Sequence, residues 1–235
     1  EEMNRRLVDR LAAVHFAPTQ AAKENLLREN TPDSSIYVTG NTVIDALLSV
    51  VRPDYQFRDA QLAEITALPQ RILLVTTHRR ENLGERMVGI FRALRQILRD
   101  FPDTVVVFPM HRNPAVRDLA QQELGGLQRV HLIEPPEYEE FANLMNQAYL
   151  VLTDSGGIQE EAPALGKPVL VLRETTERPE GVAAGTLRKV GTAPADIVEA
   201  ASELLTSQQA YEAMAKTANP YGDGKAAKRI VDVLV

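Results

Sequence analysis

Apolar residues along this chain follow two rhythms. Residues 2–14 place Met3, Leu7, Leu11 and Val14 at helical spacing, and a second helix is expected over 19–29. The segment 35–40, SIYVTG, predicts a strand, and 41–51, NTVIDALLSVV, a helix. Residues 52–70 carry Pro53 and Pro69 without a long apolar pattern, so a connection with at most a short helix is expected there. From Arg71 the alternation becomes regular. RILLVTT, TVVVFPM, RVHLIEP, YLVLTD and PVLVL are unbroken apolar runs rich in β-branched residues, and amphipathic stretches separate them. Met87, Ile90, Phe91, Leu94 and Leu98 mark one such helix, and Tyr138, Phe141, Leu144 and Met145 another. Helices are expected over most of the tail from Pro194.

Strands without polar alternation must be covered on both faces, and helices between them require parallel crossovers. The expected fold is therefore α/β, a doubly wound, Rossmann-like parallel sheet. The expected division is a helical and strand segment at 1–50, a linker at 51–70 and the Rossmann-like domain at 71–235.

Composition narrows the function. The 235 residues are 44% hydrophobic and 25% charged, as in an ordinary globular protein. There are no cysteines, which excludes disulfides and cysteine-ligated metals and favours a cytoplasmic setting. No apolar run reaches the ~20 residues of a membrane span. The net charge of −6 disfavours a nucleic-acid partner, whereas an anionic small ligand needs only local cations.

In a doubly wound sheet, ligands sit beyond the carboxyl ends of the strands. Those positions are His78 to Asn82, His111 to Asn113, Pro135 to Glu137, Ser155 to Gly157, and Arg173 to Arg178. Ser155, Gly156 and Gly157 open a helix, where glycines admit close approach and free amides suit a phosphate; a plain strand-to-helix turn is the competing reading. The pattern is neither a Walker loop nor the full G-x-G-x-x-G of dinucleotide sites. At about 100° per residue, Glu161 falls beside the apolar stripe of that helix, placed to accept from ribose hydroxyls, while Glu160 points to solvent. Arg178, just before Pro179, offers a fork for a diphosphate or a salt bridge to Glu177 or Glu180. His78 directly follows a strand, beside Arg79 and Arg80, where it can donate to a phosphate or move a proton. His15 and His131 are expected to be structural, and His111 is open between the two roles. No histidine spacing matches a metal site, so no catalytic metal or cofactor is expected. Phe141 is placed either for the core or against a base ring.

Taken together, NRRLVDRLAAVHFAPT, VTGNTVIDALL, THRREN, LTDSGGIQEEAPALGKPVLVLRETTERPE and NPYGDGKAAKRI resemble the non-hydrolysing UDP-N-acetylglucosamine 2-epimerases across essentially the whole chain. The resemblance implies a two-domain fold of the GT-B type, with the nucleotide sugar in the interdomain cleft. It implies that this chain is the C-terminal Rossmann-like domain and the helical segment before it, without the N-terminal half of the site. Glu1 matches the first glutamate of the family's PEE motif, one of its catalytic carboxylates, and His78 matches the histidine beside the substrate. Ser155, Gly156 and Gly157 match the diphosphate turn, Glu161 the ribose carboxylate, Arg178 the arginine of the nucleotide site, and Phe141 the residue against uracil. Pro136 stands where relatives carry glutamine, and it keeps only its carbonyl for contact. The implied reaction interconverts UDP-N-acetylglucosamine and UDP-N-acetylmannosamine through loss and return of UDP. A homodimer serving surface-polysaccharide synthesis is the implied setting. A UDP-sugar glycosyltransferase and an inactive nucleotide-binding fragment are the competing readings.

Overall fold

A computed structural model of the chain describes residues 2–235. In chain order the elements are α1 (Glu2–Leu11), β1 (His15–Ala17), α2 (Gln20–Arg28), β2 (Ile36–Val38), α3 (Thr42–Val50), α4 (Ala60–Thr66), β3 (Arg71–Thr76), α5 (Glu85–Asp100), β4 (Thr104–Pro109) and α6 (Pro114–Leu124). There follow β5 (Val130–Ile133), α7 (Tyr138–Gln147), β6 (Leu150–Thr153), α8 (Gly156–Ala164), β7 (Val169–Val171), α9 (Pro179–Ala184), β8 (Leu187–Lys189), α10 (Pro194–Thr206), α11 (Gln208–Ala215) and α12 (Ala226–Leu234).

The chain forms two compact units. The larger, Val50–Ala218, holds a six-stranded parallel sheet in the order β5-β4-β3-β6-β7-β8. Strands β3, β4 and β5 step outward in one direction; the chain then returns to place β6 on the other side of β3, opposite β4. This reversal makes the β3/β6 boundary the topological switch point. Leu73 pairs with Val106 on one side and Leu150 on the other, and Thr76 pairs with Thr153 at the carboxyl edge.

The core explains the unbroken apolar strands. Leu73, Val75, Val106, Phe108, Leu150 and Leu152 pack with Met87, Ile90, Phe91, Leu94 and Ile97 of α5 and with Ile197, Ala201 and Leu204 of α10. Phe91 and Phe108 are fully buried, with ring centroids 5.8 Å apart. The sheet was expected. Two features were not: β8 forms an additional edge strand of this sheet, and β1 and β2 form a separate two-stranded parallel sheet in the smaller unit. Both newly found strands span only three residues, too few to print a periodic pattern.

Residues 52–70 contain one short helix, α4, held against α7. Glu140, buried on α7, accepts from the amides of Arg58 (2.7 Å) and Asp59 (3.1 Å). Asn143 accepts from the Arg52 amide at 2.9 Å and donates to the Val50 carbonyl at 3.0 Å. These bonds satisfy two buried polar side chains and fasten the connection to the sheet domain.

The smaller unit joins the residues up to Ser49 with Asn219–Val235. Contacts therefore group the tail with the first segment, whereas the sequence placed it with 71–235. The Asp45 carboxylate accepts from the amides of Ala226 (3.1 Å) and Ala227 (2.9 Å), satisfying first-turn donors of α12. Asn41 donates to the Tyr221 carbonyl at 2.7 Å. Gly40 has φ +87°, and a Cβ there would lie 3.3 Å from the Gly222 Cα, so the close chain crossing requires glycine.

Removal of the buried Phe91 ring leaves a void beside Phe108. Phe91→Ala is expected to cost about 3–5 kcal/mol in urea unfolding, and a loss below about 1 kcal/mol would refute its place in the core.

Candidate functional site

The switch point gathers two segments. Thr76 and Thr153, at the ends of β3 and β6, share a buried hydroxyl hydrogen bond of 2.6 Å. Beyond them run Thr77 to Asn82 and Asp154 to Gly157. Asp154 is fully buried and binds the first segment to the second. Its carboxylate accepts from the Thr77 hydroxyl at 2.9 Å, the His78 amide at 3.0 Å, the Arg79 amide at 2.9 Å and the Asn82 side-chain amide at 2.9 Å. Asn82 also donates to the Leu172 carbonyl at 3.0 Å, extending the tie to the end of β7.

His78 is half-buried, with Nδ1 3.4 Å from Asp154 Oδ1. Its ring stacks on His111, centroids 5.2 Å apart and planes 12° from parallel. Burial pushes the His78 pKa below its ordinary 6.5, against the opposing pull of Asp154. The ring is therefore neutral near pH 7. His111, open in the sequence, thus lies at the site. His15 is buried, with Nε2 3.1 Å from the Asp9 carbonyl, which fits a structural role.

Ser155 caps α8 without a side-chain hydrogen bond to the first turn. The leading amides of that helix face the edge with the partial positive charge of a helix start. Two guanidinium groups flank it: a Cβ at Gly156 would lie 3.6 Å from Arg178 Nη2 and 3.7 Å from Arg79 Nη2. Gly157 is exposed. The result is a small turn of backbone donors between two cations, suited to an anion.

The carboxylates depart from expectation. Glu160 was expected to be solvated, yet it is 6% exposed and accepts from Arg178 Nε. Angular position does not decide its burial, because α8 has no solvated side over its middle turns; residues 158–163 are all buried. Arg178 accordingly pairs with Glu160 rather than with the carboxylates of Glu177 or Glu180, and its Nη1 donates to the Glu177 carbonyl at 3.1 Å. Arg173 takes the Glu177 carboxylate instead, at 2.6 and 3.0 Å, and Glu81 at 2.7 Å. That guanidinium holds Glu177 down at about 2.

Glu161 is buried, and the Tyr138 hydroxyl donates to its Oε1 at 3.0 Å. Desolvation raises the Glu161 pKa above 4.5; the Tyr138 hydrogen bond works against that rise and Glu160 adds to it. A mostly apolar cleft of about 220 Å³ opens beside His78, lined by Thr77, His111, Pro136, Phe141 and Ile158 among others. The structure thus brings His78, Pro136 and Phe141 to one cleft and Ser155, Gly156 and Arg178 to one turn. Glu161 is set one helical turn beyond Gly157. Glu1 lies outside the described residues. Asp154, Tyr138 and the anchoring role of Glu160 escaped the sequence reading. Among the described residues no cluster of His, Asp or Glu is arranged to hold a metal, and no helix is long and apolar enough to cross a membrane.

A family model described as UDP-N-acetylglucosamine 2-epimerase matches residues 1–235. A Bacillus subtilis (strain 168) protein named UDP-N-acetylglucosamine 2-epimerase is 52% identical over 236 residues, covering 100% of this chain and 61% of that protein. The S. aureus MnaA structure with UDP superposes with a TM-score of 0.93 at 47% identity, covering 100% of this chain and 63% of that one. The Neisseria meningitidis UDP-GlcNAc 2-epimerase bound to UDP-GlcNAc gives 0.87 at 46% identity, with coverage of 100% and 64%. The chain therefore spans less than two thirds of the length of these relatives.

The Tyr138–Glu161 contact makes a signed prediction. A carboxyl whose folded pKa exceeds its unfolded value contributes its full stability below the unfolded value and loses it as pH rises through the folded one. Tyr138→Phe removes the bond that restrains the rise. A carboxyl carbon NMR titration should place the Glu161 midpoint above 4.5 in the parent and higher still in the variant. Equal midpoints would show that the hydroxyl does not contact the carboxylate.

Proposed function

The chain belongs to the UDP-N-acetylglucosamine 2-epimerase family, and from that premise we propose that the full protein interconverts UDP-N-acetylglucosamine and UDP-N-acetylmannosamine. The observation that carries this reading is the helix start at Ser155 to Gly157, with its leading amides between Arg178 and Arg79 at the β3/β6 switch point. That turn receives the diphosphate. Glu161 accepts from the ribose hydroxyls, and Phe141 and Pro136 line the cleft for the uracil. The S. aureus relative holds UDP and the Neisseria relative UDP-GlcNAc, which supports the same ligand here.

In the reaction a base removes the C2 proton as the C1–O bond breaks. The electron pair of the C–H bond forms the C1–C2 double bond, and UDP departs with the electrons of C1–O. UDP oxygen then attacks C1 while C2 gains a proton on the opposite face. Cations and oriented amides lower the barrier by holding the negative charge that builds on the leaving diphosphate. This part of the protein supplies that stabilisation, together with His78 as a proton-moving group beside the cleft. Glu1 is a further acid–base group in this reading. The setting is a cytoplasmic homodimer that supplies the mannosamine isomer to surface-polysaccharide synthesis.

The full-length protein in heavy water, without any acceptor, should exchange the C2 hydrogen of UDP-N-acetylglucosamine for deuterium. A glycosyltransferase would not, and absence of exchange would sink the epimerase assignment. Arg178→Ala and Glu161→Ala should each weaken UDP binding by about tenfold or more, about 1.4 kcal/mol, in titration calorimetry. Unchanged affinity in both would displace the nucleotide from this site.

A further inference from the structure

The buried carboxylate of Asp154 does more than close a loop. Oδ2 receives the Thr77 hydroxyl, the His78 and Arg79 amides and the Asn82 side chain, all within 3.0 Å. Oδ1 has one longer bond, 3.2 Å from the His78 amide, and beyond it stands the His78 ring with Nδ1 at 3.4 Å. An ionised carboxylate accepts hydrogen bonds and donates none. A neutral imidazole carries its single hydrogen on one nitrogen. The hydrogen therefore belongs on Nδ1, facing the carboxylate, and the lone pair on Nε2. At 3.4 Å the ring nitrogen and the carboxylate are within ion-pair reach without a formed hydrogen bond, and catalytic contacts of this kind often tighten only when a ligand binds. The neighbouring chain also matters: Asp154 is the residue before Ser155, so one side chain fixes both the ring and the entry to the phosphate turn.

We propose that Asp154 is the positioning residue for His78, holding the imidazole as the Nδ1–H tautomer so that Nε2 is presented to the nucleotide sugar as a proton acceptor. This rests on the epimerase reading for what Nε2 does, but not for the tautomer itself. His111, stacked on the ring, restrains its plane, and Asp154 sets which nitrogen carries the hydrogen.

The test uses the full-length protein labelled with ¹⁵N-histidine. Long-range proton–nitrogen correlation, with the His78 signals assigned by their loss in His78→Gln, should give a protonated Nδ1 and an unprotonated Nε2, with and without UDP. An Nε2–H ring overturns the proposal, whether or not any variant folds. Asp154→Asn should lower kcat by at least about tenfold with KM within about threefold, and should lose the single tautomer. A folded Asp154→Asn protein that keeps the parent tautomer, or whose loss lies wholly in KM, also overturns it. Thr77→Val removes one donor to the same carboxylate and should lower the melting temperature while leaving the tautomer in place; a changed tautomer would make the effect one of loop structure and count against the proposal. If the tautomer is as stated but the full-length protein exchanges no deuterium at C2, the epimerase reading falls and the positioning role stands.

Discussion

The β3/β6 boundary constrains everything built above it. Parallel strands bring all their carboxyl ends to one edge, and reversal of strand order at β3 and β6 leaves a crevice that no crossover helix covers. Two segments with a mismatch in character meet there. One is cationic, His78 to Arg80, and the other is bare backbone, Ser155 to Gly157. They stay in register because Asp154, between them, is desolvated and receives four donors on one carboxylate oxygen. An ionised group in that position would be costly without such bonds. With them, it makes the distance between ring and helix start a property of the core rather than of two loops.

The same logic extends to the cations. An exposed arginine spreads over many rotamers, and ordering it costs binding energy. Here Glu160, drawn into the core by a helix buried over its middle turns, holds Arg178 Nε. Nη2 is left beside Gly156, where the diphosphate is proposed to sit. Arg173, nearly fully buried, is committed instead to Glu81 and Glu177 and joins the loops after β3 and β7. The two arginines of one loop thus divide the work. Arg173 fixes the scaffold, and Arg178 is aimed by a carboxylate that occupies only part of its fork.

The sequence made most of the sheet legible because strands buried on both faces cannot hide their composition. RILLVTT and TVVVFPM admit few other readings. Three-residue edge strands at His15–Ala17 and Leu187–Lys189 carry too few positions to declare themselves. Motif residues such as Gly156 and Arg178 were visible through resemblance, and they lie together at one helix start. Their supports were not. Helix angle alone puts Glu160 in solvent, whereas the depth of the whole helix buries it. No local pattern marks Asp154, since its partners lie 72 to 77 residues earlier. Tyr138 lies in the helix that also supplies Phe141, and only the fold turns its hydroxyl to Glu161.

A division of labour follows from which lone pairs remain available. Glu160 is engaged by Arg178 and Asp154 by the loop it closes, while Glu161, with Oε1 bonded to Tyr138, keeps its remaining acceptor capacity for the ribose proposed above. Removal of a C2 proton needs a base whose lone pair faces the sugar. Under the epimerase reading proposed above, His78 Nε2 is the group at this edge assigned to that task, since the ring lies beside the cleft. Return of the proton from the opposite face of the sugar requires a second group on the other side, which one sheet edge cannot provide. On that proposal a single Rossmann-like domain grips the leaving nucleotide and serves one face of the reacting carbon. On the proposed reaction, proton transfer at both faces of one carbon calls for a site walled on two sides.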